Sequence, residues 1–223
     1  MNEKKYILLK NVNKKLAGRL VLRDINLELA CGQIYAFTGR NGSGKTMLLR
    51  MISGLIFPDT GSVEVFGQDI SGKQVFPESL GLMIENVGLW DHLTGLENLM
   101  LLARIKNIID ENGARRALER VGLDPDDTRK YKAFSLGMKQ KLAFAQAFME
   151  QPQLLILDEP TNSMDEEAVD IFRAIIREEK MRGATILIST HQKEDVQGLV
   201  DVYYHMKDGS CTLQEEDSTD EES

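Results

Sequence analysis

Residues 39–46, with the sequence GRNGSGKT, have the types and the spacing of a loop that binds phosphate groups. They fit the pattern G-x-x-x-x-G-K-[ST] at every fixed position, between a predicted strand and a predicted helix. Gly42 and Gly44 let the backbone bend until its N–H groups converge on the phosphates. Lys45 places a cation against the β- and γ-phosphates, and Thr46 offers a hydroxyl to Mg²⁺. The pattern predicts a nucleoside triphosphate site, and the contacting residues are expected to be Gly39, Arg40, Asn41, Gly42, Ser43, Gly44, Lys45, Thr46 and Met47.

Two acids, Asp158 and Glu159, directly follow the apolar residues LLIL in the segment LLILDEPT at 154–161. In a parallel sheet, ligands gather at the carboxyl ends of the strands, so Asp158 is expected near the phosphate loop. There it could hold Mg²⁺, directly or through water, while Glu159 could orient or deprotonate the attacking water. A strand end that meets a turn is the alternative, and the phosphate loop makes it the weaker one.

His191 follows another apolar segment, ATILIST at 184–190. It is expected at the same sheet edge, where a neutral imidazole could reach a γ-phosphate oxygen. Alone, it would more often be a structural histidine. Beside the other two motifs, a catalytic role for His191 together with Glu159 and Lys45 is favoured.

Short apolar strands that alternate with helices must position these groups. Strands are predicted at 6–12, 25–29, 33–39, 61–67, 80–85, 154–157, 184–189 and 202–206, and helices at 45–54, from 94 onwards, 112–123, 135–150 and about 165–181. Thr94 and Glu97 form a capping box for the second helix. The alternation predicts an α/β fold with a mostly parallel sheet flanked by helices, interrupted by a helical insertion. The predicted divisions are 1–84 and 154–213 for the nucleotide-binding core, 85–153 for the insertion and 214–223 for a tail.

Composition narrows the classes of partner. The chain of 223 residues has a formal net charge of -8, but six of its acids lie in the tail, which we expect to be disordered. The remainder is close to neutral, which argues against nucleic-acid binding.

Cys31 and Cys211 lie far apart and predict reduced thiols in the cytoplasm. The charged start has too short an apolar stretch for a signal peptide, and no run approaches the ~18 apolar residues of a membrane span.

The segment FSLGMKQKL at 134–142 places a serine and a glycine at the mouth of a predicted helix, a suitable position for binding an anion. With the other motifs in this order, the sequence resembles the ATP-binding cassette (ABC) ATPases over about residues 5–212. The resemblance implies a phosphate-loop core with an antiparallel N-terminal β part and an inserted helical subdomain. It also implies head-to-tail dimers in which Ser135 and Gly137 contact the γ-phosphate of ATP bound by the other protomer.

Several residues depart from the family pattern. The family's signature is commonly L-S-G-G-Q, whereas residues 134–138 read FSLGM. The family's coupling loop normally carries Gln, whereas Glu85 stands here. Together these departures resemble the bacitracin-resistance and lantibiotic-immunity exporters, and they predict Glu85 as a third residue at the Mg²⁺ site beside Thr46 and Asp158. A surface loop acid is the alternative for Glu85.

The resemblance also bears on the adenine base. The family often stacks an aromatic side chain on adenine, and the matching position is Leu16, which would weaken selectivity for the base. Tyr6 and Tyr35 are alternatives for that role, although a place in the core suits them better. Met47 stands where the family often has a second hydroxyl. The segment NSMD at 162–165 matches the family's D-loop and keeps its aspartate, Asp165.

These features imply an ATP-hydrolysing subunit that dimerises on ATP, with a second copy of itself or with a homologous ATPase. The dimer would drive a separate membrane permease. The permease would be an exporter of a peptide antibiotic or another drug-like compound, and it would choose the cargo. The subunit would lie on the cytoplasmic face of the membrane, with the helical insertion docked on the permease. The alternatives are a soluble ABC-type ATPase of an assembly complex and a nucleotide-gated interaction module that hardly hydrolyses ATP.

Overall fold

A computed structural model describes residues 6–72, 75–84 and 88–214 of the protein. The strands are β1 Tyr6–Leu16, β2 Arg19–Ala30, β3 Ile34–Thr38, β4 Thr60–Val65, β5 Gln68–Asp69, β6 Leu80–Met83, β7 Leu154–Asp158, β8 Thr185–Thr190, β9 Val202–Lys207 and β10 Ser210–Gln214. The helices are α1 Lys45–Ile52, α2 Gly95–Lys106, α3 Glu111–Arg120, α4 Leu136–Phe148 and α5 Glu166–Met181, with short 3-10 helices at Tyr131–Ala133 and Lys193–Val196. The tail predicted to be disordered spans 214–223, but Gln214 is the last residue of β10, so the prediction is wrong for that residue. Residues 215–223 lie outside the described part of the chain.

The central sheet has six strands in the order β10-β9-β3-β8-β7-β6. The neighbours from β9 to β6 are all parallel, and only β10 pairs antiparallel with β9. Every residue of β3, β7 and β8 is buried, as expected of parallel strands that are covered on both faces. The predicted α/β fold with a mostly parallel sheet is confirmed. Its central strands bring the ends of three motif-bearing segments to one edge.

A second, antiparallel sheet has the order β2-β1-β4-β5. Leu16 pairs with Arg19 across a two-residue turn in which Ala17 and Gly18 have φ values of 47° and 79°. Positive φ at both central residues is typical of the type I′ turn, which suits the twist of a hairpin. Helix α1 is held between the two sheets, because Leu48 and Leu49 belong to a core that includes residues of both. The phosphate loop therefore leads into a helix that is fixed on two sides.

The other face of the central sheet is covered by α4 and α5. The rings of Phe144 on α4 and Phe172 on α5 lie 5.0 Å apart between their centroids, and both side chains are fully buried. A Cβ at Gly81 of β6 would lie only 1.9 Å from the carbonyl oxygen of Ala147, so α4 needs a glycine there to pack closely. Helices α2, α3 and α4 all lie between β6 and β7 in the chain. The division at residues 85 and 153 stays a prediction.

Local signals give the reasons for several element boundaries. The hydroxyl of Thr94 accepts from Glu97 N at 3.2 Å and the Glu97 carboxylate accepts from Thr94 N at 2.6 Å, which confirms the capping box. The predicted strand at 6–12 continues to Leu16, and β5 and β10 were not predicted.

No disulfide joins Cys31 and Cys211. Within the described ranges, the helices are too short or too polar to cross a bilayer.

Candidate nucleotide-binding site

The phosphate loop connects β3 to α1. At two of its positions the neighbouring backbone comes so close that only glycine fits. Gly39 has a φ of 142°, and a Cβ there would lie 2.3 Å from the carbonyl oxygen of Met206. Gly44 caps α1 with a φ of 111°, and a Cβ there would lie 2.9 Å from the carbonyl oxygen of Val21. Larger residues at these positions would force the loop away from β9 and β2. The fold thus holds the loop at the start of α1, with the helix dipole behind it.

The ammonium group of Lys45 lies inside the turn of this loop. It donates to the carbonyl oxygens of Gly39 at 2.8 Å and Arg40 at 3.4 Å, and it lies 3.3 Å from Glu159 Oε1. The residue is only 5% exposed, so its charge acts where water screens it little. Beside it, Ser43 Oγ is buried and has no hydrogen-bond partner in the described part of the chain. A buried hydroxyl of this kind suits a loop whose remaining partners are the oxygens of a ligand.

Thr46 and Asp158 bring a hydroxyl and a carboxylate together at the end of β7. Thr46 Oγ1 donates to Asp158 Oδ2 at 2.7 Å, although 111 residues separate them in the chain. The second oxygen, Asp158 Oδ1, accepts a hydrogen bond from the buried hydroxyl of Ser189. Ser189 is the residue of β8 that pairs directly with Asp158. Sheet register therefore fixes the orientation of this carboxylate.

Glu159 connects the other groups of the site. Its φ of 49° lies in the left-handed region, and its N–H donates to both the carbonyl oxygen and the hydroxyl of Ser189, each at 3.1 Å. One carboxylate oxygen lies 3.3 Å from Lys45 Nζ, and the other lies 2.7 Å from His191 Nδ1. The Glu159 side chain is 20% exposed, so water can reach it. The unusual backbone conformation turns the carboxylate away from the strand and towards the phosphate loop and His191.

The five side chains expected at the nucleotide lie in two contact groups, which Ser189 connects. Thr46 contacts Asp158, and Glu159 contacts both Lys45 and His191. Sequence reasoning missed Ser189, which touches both acids. A small hydroxyl residue one position before the end of a fully buried strand was the available signal, because a buried hydroxyl needs a partner.

The remaining predicted residues lie elsewhere. Ser135 is the N-cap of α4, and its hydroxyl accepts from Met138 N at 3.2 Å. A Cβ at Gly137 would lie 3.2 Å from the carbonyl oxygen of Ser163, so the start of α4 packs on the loop after Glu159. Asp165 caps α5 by accepting from Ala168 N at 2.9 Å. Neither Ser135 nor Gly137 joins the contacts around Lys45, and Glu85 lies outside the described residues.

The residues considered for adenine occupy different environments. Leu16 lies at the end of β1 and is 41% exposed. Tyr35 is buried, with its hydroxyl within hydrogen-bonding distance of Ala30 O at 3.1 Å and Gln33 Oε1 at 2.7 Å, and burial raises its pKa to about 12. Tyr35 is therefore a core residue and is not available for stacking. Tyr6 is partly buried at the start of β1.

This arrangement supplies the groups that phosphoryl transfer to water requires. A buried cation and backbone N–H groups can hold the phosphates, a hydroxyl and a carboxylate can hold a metal ion, and a second carboxylate can take a proton. Fold and site together define a phosphate-loop ATPase.

Comparison with known proteins narrows this class. The family model described as ABC transporter matches residues 22–162. The chain is 44% identical to the ABC transporter ATP-binding protein YybJ of Bacillus subtilis (strain 168), over 92% of this chain and 94% of that protein. It is 33% identical to the lantibiotic transport ATP-binding protein SrtF of Streptococcus pyogenes, over 93% and 90%. It is 37% identical to the bacitracin transport ATP-binding protein BcrA of Enterococcus faecalis, over 89% of this chain but only 65% of that protein.

Solved structures share the fold. A structure of an ATP-binding subunit of an ABC transporter superposes with a TM-score of 0.83 at 27% identity, over 93% of this chain and 90% of that one. The dimeric structure of the cassette MJ0796 gives a TM-score of 0.83 at 24% identity, over 92% and 95%, and at that identity it shows the fold alone. The chain belongs to the ATP-binding subunits of the ABC transporter family, and it is an ATPase of that family, homologous to bacitracin and lantibiotic transport ATP-binding proteins.

Proposed function

We propose that the protein binds Mg²⁺-ATP with the phosphate loop and hydrolyses it with Glu159 as the general base, in order to drive a separate membrane permease. The observation that supports this most is the contact network around Glu159, whose carboxylate lies 3.3 Å from Lys45 Nζ and 2.7 Å from His191 Nδ1. It joins the phosphate loop, the end of β7 and the end of β8 at one sheet edge.

Thr46 and Asp158 are the residues that would hold Mg²⁺. A hydroxyl and a carboxylate are hard oxygen donors of the kind that Mg²⁺ prefers, with water and substrate phosphates completing the shell. Among the described residues, no group of three His, Cys, Asp or Glu residues forms a metal cage, and this suits an ion carried largely by its nucleotide. When bound, the ion would neutralise charge on the phosphate oxygens. Glu85 as a third member of this site stays a prediction.

The proposed reaction uses groups whose positions the fold fixes. Lys45 and the N–H groups of residues 39–47 hold the triphosphate and stabilise charge on the transferred phosphoryl group. Glu159 orients a water and takes its proton as the water oxygen attacks the γ-phosphorus and the bond to the β–γ bridging oxygen breaks. His191, held by Glu159, would contact a γ-phosphate oxygen. Leu16, at the end of the β1–β2 hairpin, would lie beside the adenine.

A second copy of the chain would complete the site. Ser135 and Gly137 lie at the start of α4, apart from the contacts around Lys45, so they are free to reach the γ-phosphate held by the other protomer. The solved dimeric cassette MJ0796 supports this assembly by similarity of fold. We infer that ATP binding closes the dimer and hydrolysis opens it.

The permease and its cargo are inferred from the relatives. Two of them are described as bacitracin and lantibiotic transport ATP-binding proteins, which favours an exporter of a peptide antibiotic or a related compound. Leu101 and Ile105 on α2, and Ile108 just beyond it, are 37%, 76% and 58% exposed. Such an apolar surface suits docking on a partner at the cytoplasmic face of the membrane.

Turnover and co-purification test the proposal. Wild type should release phosphate from Mg²⁺-ATP, Lys45→Ala should lose ATP binding, and Glu159→Gln should keep binding while kcat falls about 10²- to 10⁴-fold. Lys141→Ala on α4, a partly exposed lysine outside the contacts around Glu159, is the matched control and should behave as wild type. A membrane protein should co-purify with the wild-type chain. A soluble partner in its place would favour the assembly complex, and wild type without phosphate release would favour the interaction module.

A further inference from the structure

The side chain of Gln140 links helix α4 to the loop that carries Glu159. Its Nε2 donates to the carbonyl oxygen of Glu159 at 3.2 Å and to that of Pro160 at 3.0 Å. A side-chain amide has two N–H donors, so this one group can serve both carbonyls. Ser135 caps the same helix, and Gln140 therefore shares a rigid element with the residue proposed to contact the partner's ATP.

The backbone that Gln140 holds is the strained one at Glu159. A φ of 49° is uncommon for a residue with a side chain, and it persists only where the surroundings fix it. Ser189 accepts the N–H of Glu159 on one side, and Gln140 donates to its carbonyl oxygen on the other. The peptide groups on the two sides of Glu159 are thus both held, the preceding one by the sheet and the following one by α4.

A second contact joins the same helix to the same loop. The carbonyl oxygen of Ser163 approaches Gly137 so closely that a Cβ would lie 3.2 Å from it. This contact lies one helical turn before Gln140, on the same side of α4. With both contacts in place, the start of α4 and the loop 159–163 have little freedom to shift past each other.

We propose that Gln140 is a positioning residue that transmits the placement of Ser135 to the backbone of Glu159. The inference rests on the proposed function, in which Ser135 meets the partner's nucleotide while Glu159 acts on the nucleotide of its own chain. Docking of Ser135 at one ATP then aligns the general base at the other, and the coupling acts in both directions. Gln140 itself touches neither nucleotide.

Gln140→Met tests this role because methionine keeps the length and the helix propensity of the side chain but removes both donors. We expect kcat at saturating Mg²⁺-ATP to fall about 10- to 100-fold, since small misplacements of a catalytic group have effects of that size. The Kd for ATP should stay within about twofold of wild type, because the phosphate loop is untouched. ATP-dependent dimers should still form in the Glu159→Gln background. Gln146→Met, further along the same helix, is the matched control and should leave kcat unchanged.

Gln140→Lys provides the rescue, since its ammonium group restores a donor to the two carbonyl oxygens. It should recover a large part of the rate lost in Gln140→Met. A wild-type kcat in Gln140→Met would overturn the proposal. A parallel loss of ATP binding and kcat would also overturn it, because Gln140 would then serve packing alone. Failure of the proposed function would give a different result from failure of the role of Gln140. In that case wild type itself would release no phosphate, or Lys45→Ala would still bind ATP.

Discussion

At the scale of single residues, the orientation of the two acids depends on a hydroxyl that does not react. Ser189 donates to Asp158 and accepts from the N–H of Glu159, and it is fully buried. It therefore holds the proposed metal ligand and the proposed base in one arrangement. Hydrogen bonds to a buried carboxylate are stronger than those between neutral groups, so the loss of this one should be measurable.

We predict that Ser189→Ala lowers ATPase activity at low Mg²⁺ more than at saturating Mg²⁺. The half-saturating Mg²⁺ concentration should rise about tenfold, the usual lower effect of removing a residue that orients a metal ligand. Measuring phosphate release across a Mg²⁺ titration checks this. Ser53→Ala is the control, because that buried hydroxyl donates to Arg50 O at 3.0 Å away from both acids. If the two variants show the same Mg²⁺ dependence, Ser189 does not orient the ligand.

At the scale of elements, helix α2 begins with two reciprocal hydrogen bonds between Thr94 and Glu97. The backbone N–H of Thr94, and then Lys130, lower the pKa of the Glu97 carboxyl below its ordinary value of 4.5. A lowered pKa in the folded state means that this contribution is present above the ordinary value and is lost as the pH falls through the folded one. The capping box thus stabilises helix α2 at neutral pH and weakens in acid.

Thr94→Ala should lower the free energy of unfolding by about 1 kcal/mol, the usual effect of losing a helix N-cap. Denaturant unfolding at pH 7 measures this, and Thr212→Ala on β10 serves as the control. Glu97→Gln should flatten the loss of stability as the pH falls below the ordinary value of 4.5, since it removes the titrating group. An acid profile that is identical in wild type and Glu97→Gln would contradict the assignment.

The elements show where sequence reasoning succeeds. The phosphate loop, the capping box and the acids at the end of β7 carry local signals, because the backbone geometry within a few positions requires their residue types. β10 is largely exposed and β5 has only two residues, so neither has the apolar pattern that marks a strand. The contacts of Ser189 with Asp158 and of Gln140 with Pro160 depend on sheet register and helix packing. No sequence pattern within one segment predicts these contacts, because each joins residues that are far apart in the chain.

At the scale of the whole molecule, helix α3 of the predicted insertion is joined to α5 by charge as well as by packing. Glu179 on α5 has a side chain only 4% exposed, 3.3 Å from Arg120 of α3 and 2.7 Å from Arg182. Two guanidinium groups compensate the buried carboxylate, whereas breaking one pair would leave a costly charge. Gln140 on α4 makes a different polar contact, to the carbonyl oxygens of Glu159 and Pro160. Helices α3 and α4 are therefore each held by polar contacts as well as by packing.

The proposed dimer gives the decisive prediction at this scale. Glu159→Gln should bind ATP without hydrolysing it and accumulate as a dimer at millimolar Mg²⁺-ATP, which gel filtration would show. Ser135→Asp in that background should stay monomeric. Aspartate caps a helix as well as serine does, so α4 keeps its start, but its charge would repel the partner's triphosphate.

Thr94→Asp, which makes the same kind of cap replacement on α2, is the matched control and should dimerise normally. Monomeric Ser135→Asp should bind ATP as tightly as wild type, because its own phosphate loop is intact. A dimer of the Ser135→Asp, Glu159→Gln double variant would mean that Ser135 does not meet the partner's nucleotide. Loss of ATP binding by the monomer would instead place Ser135 at the site of its own chain, and the second copy would not be needed to complete it.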